Sequence, residues 1–222
     1  MAQLQGRTIE GVLFDADGTL IDTYDIILRS MRHVVCDMHG QQRTDEELMA
    51  GVGTPLPAQM RGFAGGDEAL AAELTRRYRE HNDALHADGI AAFADTHRAL
   101  ERLRDAGLAM GVVTSKRHEM AAHGLELAGI AGFFPMLIGC DDWPESKPDP
   151  GPVLHGCERL GLAPSACLYV GDSPYDIRAG NAAGCLSVAA LWGMFPAAAL
   201  AAERPALECA SLSDLADALL GA

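Results

Sequence analysis

The chain has 222 residues, enough for one sizeable core or a core domain with a smaller appendage; about half are apolar and no tract is biased, which excludes disordered and fibrous classes. A formal net charge of −14 is unsuited to a nucleic-acid backbone or an anionic membrane surface, but leaves room for a small phosphate held locally. No basic start with an apolar run and cleavage site opens the chain, and no stretch of roughly 18 apolar residues follows, so a cytoplasmic protein is expected. Cys36, Cys140, Cys157, Cys167, Cys185 and Cys209 lack the short spacings of a zinc site and read as buried or idle thiols. Fifteen arginines stand against only two lysines, Lys116 and Lys147.

The first predicted element is a strand over Ile9 to Phe14, and it runs into the stretch VLFDADGTLID, residues 12–22. Asp15 and Asp17 fall just beyond its carboxyl end, where open α/β sheets place ligands. Two nearby carboxylates repel, and burying them requires a partner cation. A hard cation such as Mg²⁺ fits, with one carboxylate free to attack phosphorus and the other to manage a proton. Gly18 permits the tight turn that close approach to a phosphate needs. A helix-loop-helix calcium site is rejected because that loop requires further oxygen ligands and a terminal acid, where this sequence offers Leu20 and Ile26.

Residues 22–93 pass without a convincing strand. Tyr24, Ile27, Leu28, Met31, Val34, Val35 and Met38 recur at helical spacing, and Leu70 to His86 continues as a polar-faced helix. A helical cap, residues 22–93, is thus expected to be inserted in a core of residues 1–21 and 94–222, through linkers at Asp22-Thr23 and Ala87 to Ala92. The loop GVGTPLP, Gly51 to Pro57, has the composition of a specificity loop or of a plain interhelical turn, and His33, Thr54 and Arg61 are candidate contacts from the cap.

Beyond the insertion, strands are predicted over Ala109 to Thr114, Met136 to Gly139, Cys167 to Gly171 and Leu186 to Ala190. Helices are placed near Asp95 to Ala106, Arg117 to Ala128, Pro150 to Leu160, Pro174 to Ala183 and Ser211 to Leu220. This alternation predicts an α/β fold, a three-layer Rossmann-like core with a mostly parallel sheet. Thr114 and Ser115, in GVVTSKRHEM, offer hydroxyls beside the free N–H groups of a helix start, a site for an anion or simply a helix cap. In ESKPDPGP, Lys147 is a compact point charge in a chain that otherwise uses arginine. In LYVGDSPYDIRAG a strand again ends on an acid, Asp172, while Asp176 suits a capping pair with Ser173.

Taken in order, D-x-D-G-T-L, T-S at a strand end, K-P-x-P and G-D-S-x-x-D-I-x-A-G resemble the haloacid dehalogenase-like hydrolase superfamily, in its phosphoglycolate phosphatase-like branch. The resemblance spans nearly the whole chain. It implies that Asp15 is a nucleophile forming an aspartyl-phosphate and a ligand of Mg²⁺, and that Asp17 handles the proton while its backbone carbonyl binds the metal. It further implies that Gly18, Thr114, Ser115 and Lys147 meet the substrate phosphate, with Lys147 neutralising charge. Asp172 would complete the protein's metal ligands, and Asp176 would stand behind them or bind the ion more weakly. A small phosphorylated metabolite is the expected partner. Asp17 argues against dehalogenation, and the absence of lysine from residues 22–93 argues against Schiff-base hydrolysis of a phosphonate. A β-phosphoglucomutase-like mutase and a non-catalytic binding module remain the rival readings. The replacement of the branch's usual Pro-Gly by Ala94-Asp95 puts the geometry of the second linker in question.

Overall fold

The computed structural model describes residues 2–86 and 90–221. The chain enters through an antiparallel hairpin, β1 (Ala2–Leu4) and β2 (Arg7–Ile9), before β3 (Gly11–Phe14) begins. The single strand expected over Ile9 to Phe14 is therefore split at Glu10. Arg7 and Thr8 stay exposed in the hairpin, whereas Val12, Leu13 and Phe14 are fully buried.

After β4 (Ile21–Asp22) come α1 (Tyr24–Met31), continued by a π-helical stretch over Arg32–Asp37, then α2 (Asp45–Met49), α3 (Leu56–Phe63), α4 (Glu68–His86) and β5 (Ala91–Ala92). The remaining chain alternates α5 (Thr96–Asp105), β6 (Ala109–Val113), α6 (His118–Leu127), β7 (Leu137–Ile138), α7 (Gly151–Leu160), β8 (Cys167–Gly171), α8 (Pro174–Ala183), β9 (Leu186–Ala190), α9 (Ala197–Ala202), β10 (Leu207–Cys209) and α10 (Leu212–Leu220). Six strands form one sheet in the order β10-β9-β8-β3-β6-β7, and each pair in it is parallel.

Alternate residues of the central strands feed two cores. Val12, Phe14, Val112 and Val170 pack with Leu100 and Leu103 of α5 and Leu215 and Leu219 of α10, while Leu13 and Tyr169 pack with Val153 of α7 and Ala179 of α8. Helices thus cover both faces, which makes three layers and explains why these strands read as continuous apolar runs. All six cysteines are free, and Cys157 Sγ lies 3.6 Å from Cys185 Sγ within the second core. Among the described residues, no helix is long and apolar enough to cross a membrane.

The helices between β4 and β5 have their own core, including Met31, Val34, Leu48, Met60 and Leu74, to which Met194 and Phe195 add from the segment between β9 and α9. Thr44 and Glu47 form a reciprocal capping box that starts α2. Where linkers are expected, Ile21 and Asp22 pair antiparallel with Ala92 and Ala91, strands too short to leave a periodic signal. Ala87 to Gly89, the start of the expected second linker, lie outside the described residues. At the Ala94-Asp95 departure, the Asp95 carboxylate accepts the Ser213 N–H at 2.7 Å and so ties the start of α5 to α10.

Candidate active site

Three adjacent strands, β8, β3 and β6, end on the same edge of the sheet and deliver Asp172, Asp15 and Thr114 as their next residues. The strand pairing continues one residue into each of two turns, since Asp15 N–H donates to Val170 O and Thr114 N–H to Ile138 O, both at 2.9 Å. Gly18 turns the chain after Asp17 with φ +78°, and a Cβ there would collide with the Asp172 carboxylate. The same turn is tied to the end of the neighbouring strand β8, 153 residues along the chain, because Thr19 Oγ donates to Asp172 Oδ1 at 3.0 Å.

Asp15, Asp172 and Asp176 each offer an oxygen within 4.8 Å of the others, and all are buried. Lys147 reaches into this group from the loop before α7, with Nζ 2.5 Å from Asp176 Oδ1 and 3.0 Å from Asp15 Oδ1. The contact to Asp15 is at ion-pair distance but poorly aligned, so Asp15 Oδ1 is buried without a hydrogen-bond donor. Burial, reinforced by Asp176 and opposed by Lys147, pushes the Asp15 carboxyl up to about 6. Burial and the charges of Asp176 and Asp15 push Asp172 well above the carboxylate range. Burial would depress the Lys147 ammonium, but Asp15 and Asp176 outweigh it and hold the amine strongly protonated.

The acids differ in how their oxygens are used. Asp176 accepts from Ser173 N–H at 3.0 Å, Ser173 Oγ at 2.5 Å and Lys147, and lies 3.2 Å from the Tyr169 hydroxyl. It is both the expected capping partner of Ser173 and the anchor of the buried lysine. Asp172 accepts from Thr19 and, at 2.7 Å, from Met194 N–H. One ammonium, in contact with Asp15 and Asp176, thus stands beside three buried carboxylates; if all three ionised they would exceed it by two negative charges, which a divalent cation could offset.

Asp17 points away from this cluster. Its Oδ1 lies 3.0 Å from Lys116 Nζ, which is also 3.4 Å from His86 Nε2 on α4. Burial works to raise Asp17, but the charge and hydrogen bond of Lys116 keep it low. The same lysine, added to burial, drives His86 down to about 4. Both lysines thus hold carboxylates in this site. In the sequence Lys116 is marked only by the rarity of lysine, with nothing to indicate its partner, and Tyr169 lies in an apolar strand that reads as core.

The helical segment closes the site from above. Ser115 Oγ donates to Gly53 O at 2.6 Å, and Gly53, with φ +97°, leaves so little room that a Cβ would lie 2.7 Å from Ser173 Oγ. The loop from Gly51 to Pro57 is therefore seated on the two turns that carry Ser115 and Ser173. Below it lies a cavity of about 120 Å³ bordered by Asp15, Asp17, Thr114 and Lys116 from below and by Thr54, Gln59, Tyr78 and Arg79 from above. Of the three candidate contacts, Thr54 borders this cavity, whereas His33 stacks on His81 at 4.2 Å and Arg61 pairs with Glu68 at 2.8 Å.

A parallel α/β sheet with a cluster of buried acids at its carboxyl edge has the architecture of a doubly wound α/β protein, with the acids where such sheets place their ligands. Comparison with known proteins makes the assignment specific: residues 12–190 match the family model for haloacid dehalogenase-like hydrolases, and the chain belongs to that family. A Clostridium perfringens protein provisionally named pyrophosphatase PpaX is 40% identical over 197 residues, covering 89% of this chain and 91% of its own. Pyrophosphatase PpaX of Bacillus velezensis is 33% identical over 209 residues, covering 94% and 95%. Among solved structures, a Bacteroides fragilis protein provisionally named a haloacid dehalogenase-like hydrolase superposes with a TM-score of 0.86 at 27% identity, covering 94% of this chain and 100% of that one.

Proposed function

We propose that the chain is a magnesium-dependent phosphatase that hydrolyses a small phosphorylated metabolite through an aspartyl-phosphate on Asp15. One observation carries the reading: three buried carboxylates gather around one ammonium, and two of them, Asp15 and Asp172, border the cavity. The carboxylates of Asp15 and Asp172 and the backbone carbonyl of Asp17 would hold Mg²⁺. Asp176 supports from behind, since its oxygens are already engaged by Ser173 and Lys147. The ion, when bound, would supply positive charge to the carboxylates and to the phosphoryl oxygens.

The chain's own residues would then act in two displacements. An Asp15 oxygen attacks phosphorus as the bond to the leaving oxygen breaks, and Asp17 gives that oxygen a proton. Asp17, now a base, takes a proton from water, whose oxygen attacks phosphorus and returns Asp15 as a carboxylate with release of phosphate. Thr114 and the Ser115 amide orient the non-bridging oxygens near Gly18, and Lys147 offsets charge on Asp15 and the phosphoryl group. For Asp17 to donate, it must first be proton-loaded, and the charge and hydrogen bond of Lys116 oppose that.

Residues 22–93 would serve as the cap and residues 1–21 and 94–222 as the catalytic core. The cavity of about 120 Å³ is small beside the roughly 300–1,000 Å³ that drug-sized ligands occupy, which favours a leaving group of a few atoms over a hexose or nucleoside. Pyrophosphate, for which the relatives are named, and phosphoglycolate are the leading candidates. Phosphate release from phenyl phosphate and from a panel of phosphorylated metabolites, with Mg²⁺ and with a chelator, tests the reading. Magnesium-dependent release is expected; release that ignores the chelator, or none from any compound, would overturn it.

A further inference from the structure

Arg79 and Arg117 border the same cavity from opposite walls, Arg79 on α4 of the helical segment and Arg117 at the N-cap of α6, next to the Thr114-Ser115 turn. Nine of the fifteen arginines are in ion pairs, yet among the described residues neither Arg79 nor Arg117 has one, in a chain with a net charge of −14. The contrast is sharpest on α4 itself. Arg76 and Arg77 each reach Glu73 and Glu80, whereas Asp83, one turn beyond Arg79 and in the same wall, lies outside ion-pair reach of it. Burial and the charge of Arg117 hold the Arg79 guanidinium below its usual range, outweighing nearby Cys140, Asp83 and Asp141.

Two facing cations without partners repel, and an oxyanion placed between them removes the repulsion and satisfies both planar donor forks. In the phosphatase reading the transferred phosphoryl group does not need them, because Thr114, Ser115 and Lys147 would serve it beside Asp15. The remaining position lies on the side of the leaving group, where Lys116 and Asp17 also stand.

We propose that Arg79 and Arg117 clamp a second oxyanion, a phosphate or a carboxylate, carried by the leaving group of the substrate, and so select substrates that are anionic at both ends. The inference rests on the phosphatase reading above. Pyrophosphate and phosphoglycolate both carry the required group; phenyl phosphate does not.

The test is kcat/KM for these three compounds in Mg²⁺ with the wild type, Arg79→Gln, Arg117→Gln and the double variant. The wild type is expected to prefer pyrophosphate or phosphoglycolate to phenyl phosphate, and the better of the two identifies the source of the second oxyanion. Each single variant should cut that preference about 10- to 100-fold, mainly through KM, the size of a lost charged hydrogen-bond pair. The double variant should fall little further, since one guanidinium alone cannot bridge. Calorimetric affinity for methylenediphosphonate, an analogue that is not hydrolysed, should weaken in the same proportion if pyrophosphate is the preferred substrate. Loss by one common factor on all three compounds would mean a structural role and overturn the clamp, as would a wild type indifferent to the second charge. Absence of magnesium-dependent release from all three would instead sink the phosphatase reading itself.

Discussion

The outer face of α4 and the floor of the cavity use the same kinds of charge to opposite ends. On α4, Arg76 and Arg77 alternate with Glu73 and Glu80 in pairs whose side chains stay 41–55% exposed. In the floor and directly beneath it, Lys147 joins Asp15, which borders the cavity, to Asp176, with no side chain more than 6% exposed. Water screens the first set, so its members are nearly interchangeable with any polar residue. The second set has no such relief: each charge matters because removing one strands the others in a medium that cannot solvate them.

The comparison is easiest to break at Asp15. Asp15→Asn should lower turnover by about 10⁴-fold or more if its oxygen is the nucleophile, whereas Arg76→Gln should leave both turnover and melting temperature unchanged. Phosphate release under saturating substrate measures the first and thermal unfolding the second. Retention of activity by the asparagine variant would remove the floor's chemical role.

Next in size is Lys147→Met. It leaves three buried carboxylates with no cation, and a loss of about 3–5 kcal/mol in unfolding free energy is expected in chelator, read from denaturant titration. A loss no larger than that of an exposed pair would show the floor to be wet. The metal gives the converse experiment. Mg²⁺ at about 100 times its Kd should stabilise the wild type by about 2.7 kcal/mol. Asp172→Asn should lose most of that gain, yet be at least as stable as the wild type in chelator, because it replaces a carboxyl that burial and the neighbouring acids already hold back from ionising, while Thr19 and Met194 can still bond the amide. Full magnesium stabilisation of the variant would take Asp172 out of the ligand set.

These two regions also differ in how far they could be read from sequence. Asp15, Thr114 and Asp172 each follow directly on an apolar strand, so strand order alone brings them to one edge, and β8, β9 and α8 begin and end at the expected residues. Asp176 was ambiguous in sequence because capping and catalysis ask for the same acid; in the fold it does the capping and holds Lys147 as well. The roof left weaker marks. Arg79 is one of three arginines within four residues of a polar-faced helix, and only the packing of α4 over the cavity separates it from Arg76 and Arg77. Nor did pattern reveal α9, whose AAALAA sequence has no polar face, or β10, three edge residues with Glu208 at their centre.

Asp142 tests the ground between these extremes and should give the smallest effect. Its carboxylate, 37% exposed, accepts Gly139 N–H at 2.7 Å and lies 2.6 Å from His118 Nδ1, fastening the end of β7 to the start of α6. Partial burial would raise its pKa, but the Gly139 N–H and His118 outweigh burial and hold it below the usual 3.8. The folded protein therefore binds fewer protons at this site than the unfolded chain, so the stabilisation is complete above the ordinary carboxylate range and fades as pH falls through the lower folded value. Asp142→Asn should cost about 1 kcal/mol or less at pH 7, solvent screening included, and the gap between variant and wild type should close as denaturation is repeated below pH 3.8. No gap at pH 7 would class Asp142 with the screened ladder on α4, and a gap that survives acid would mean that packing, not the carboxylate's charge, joins the two elements.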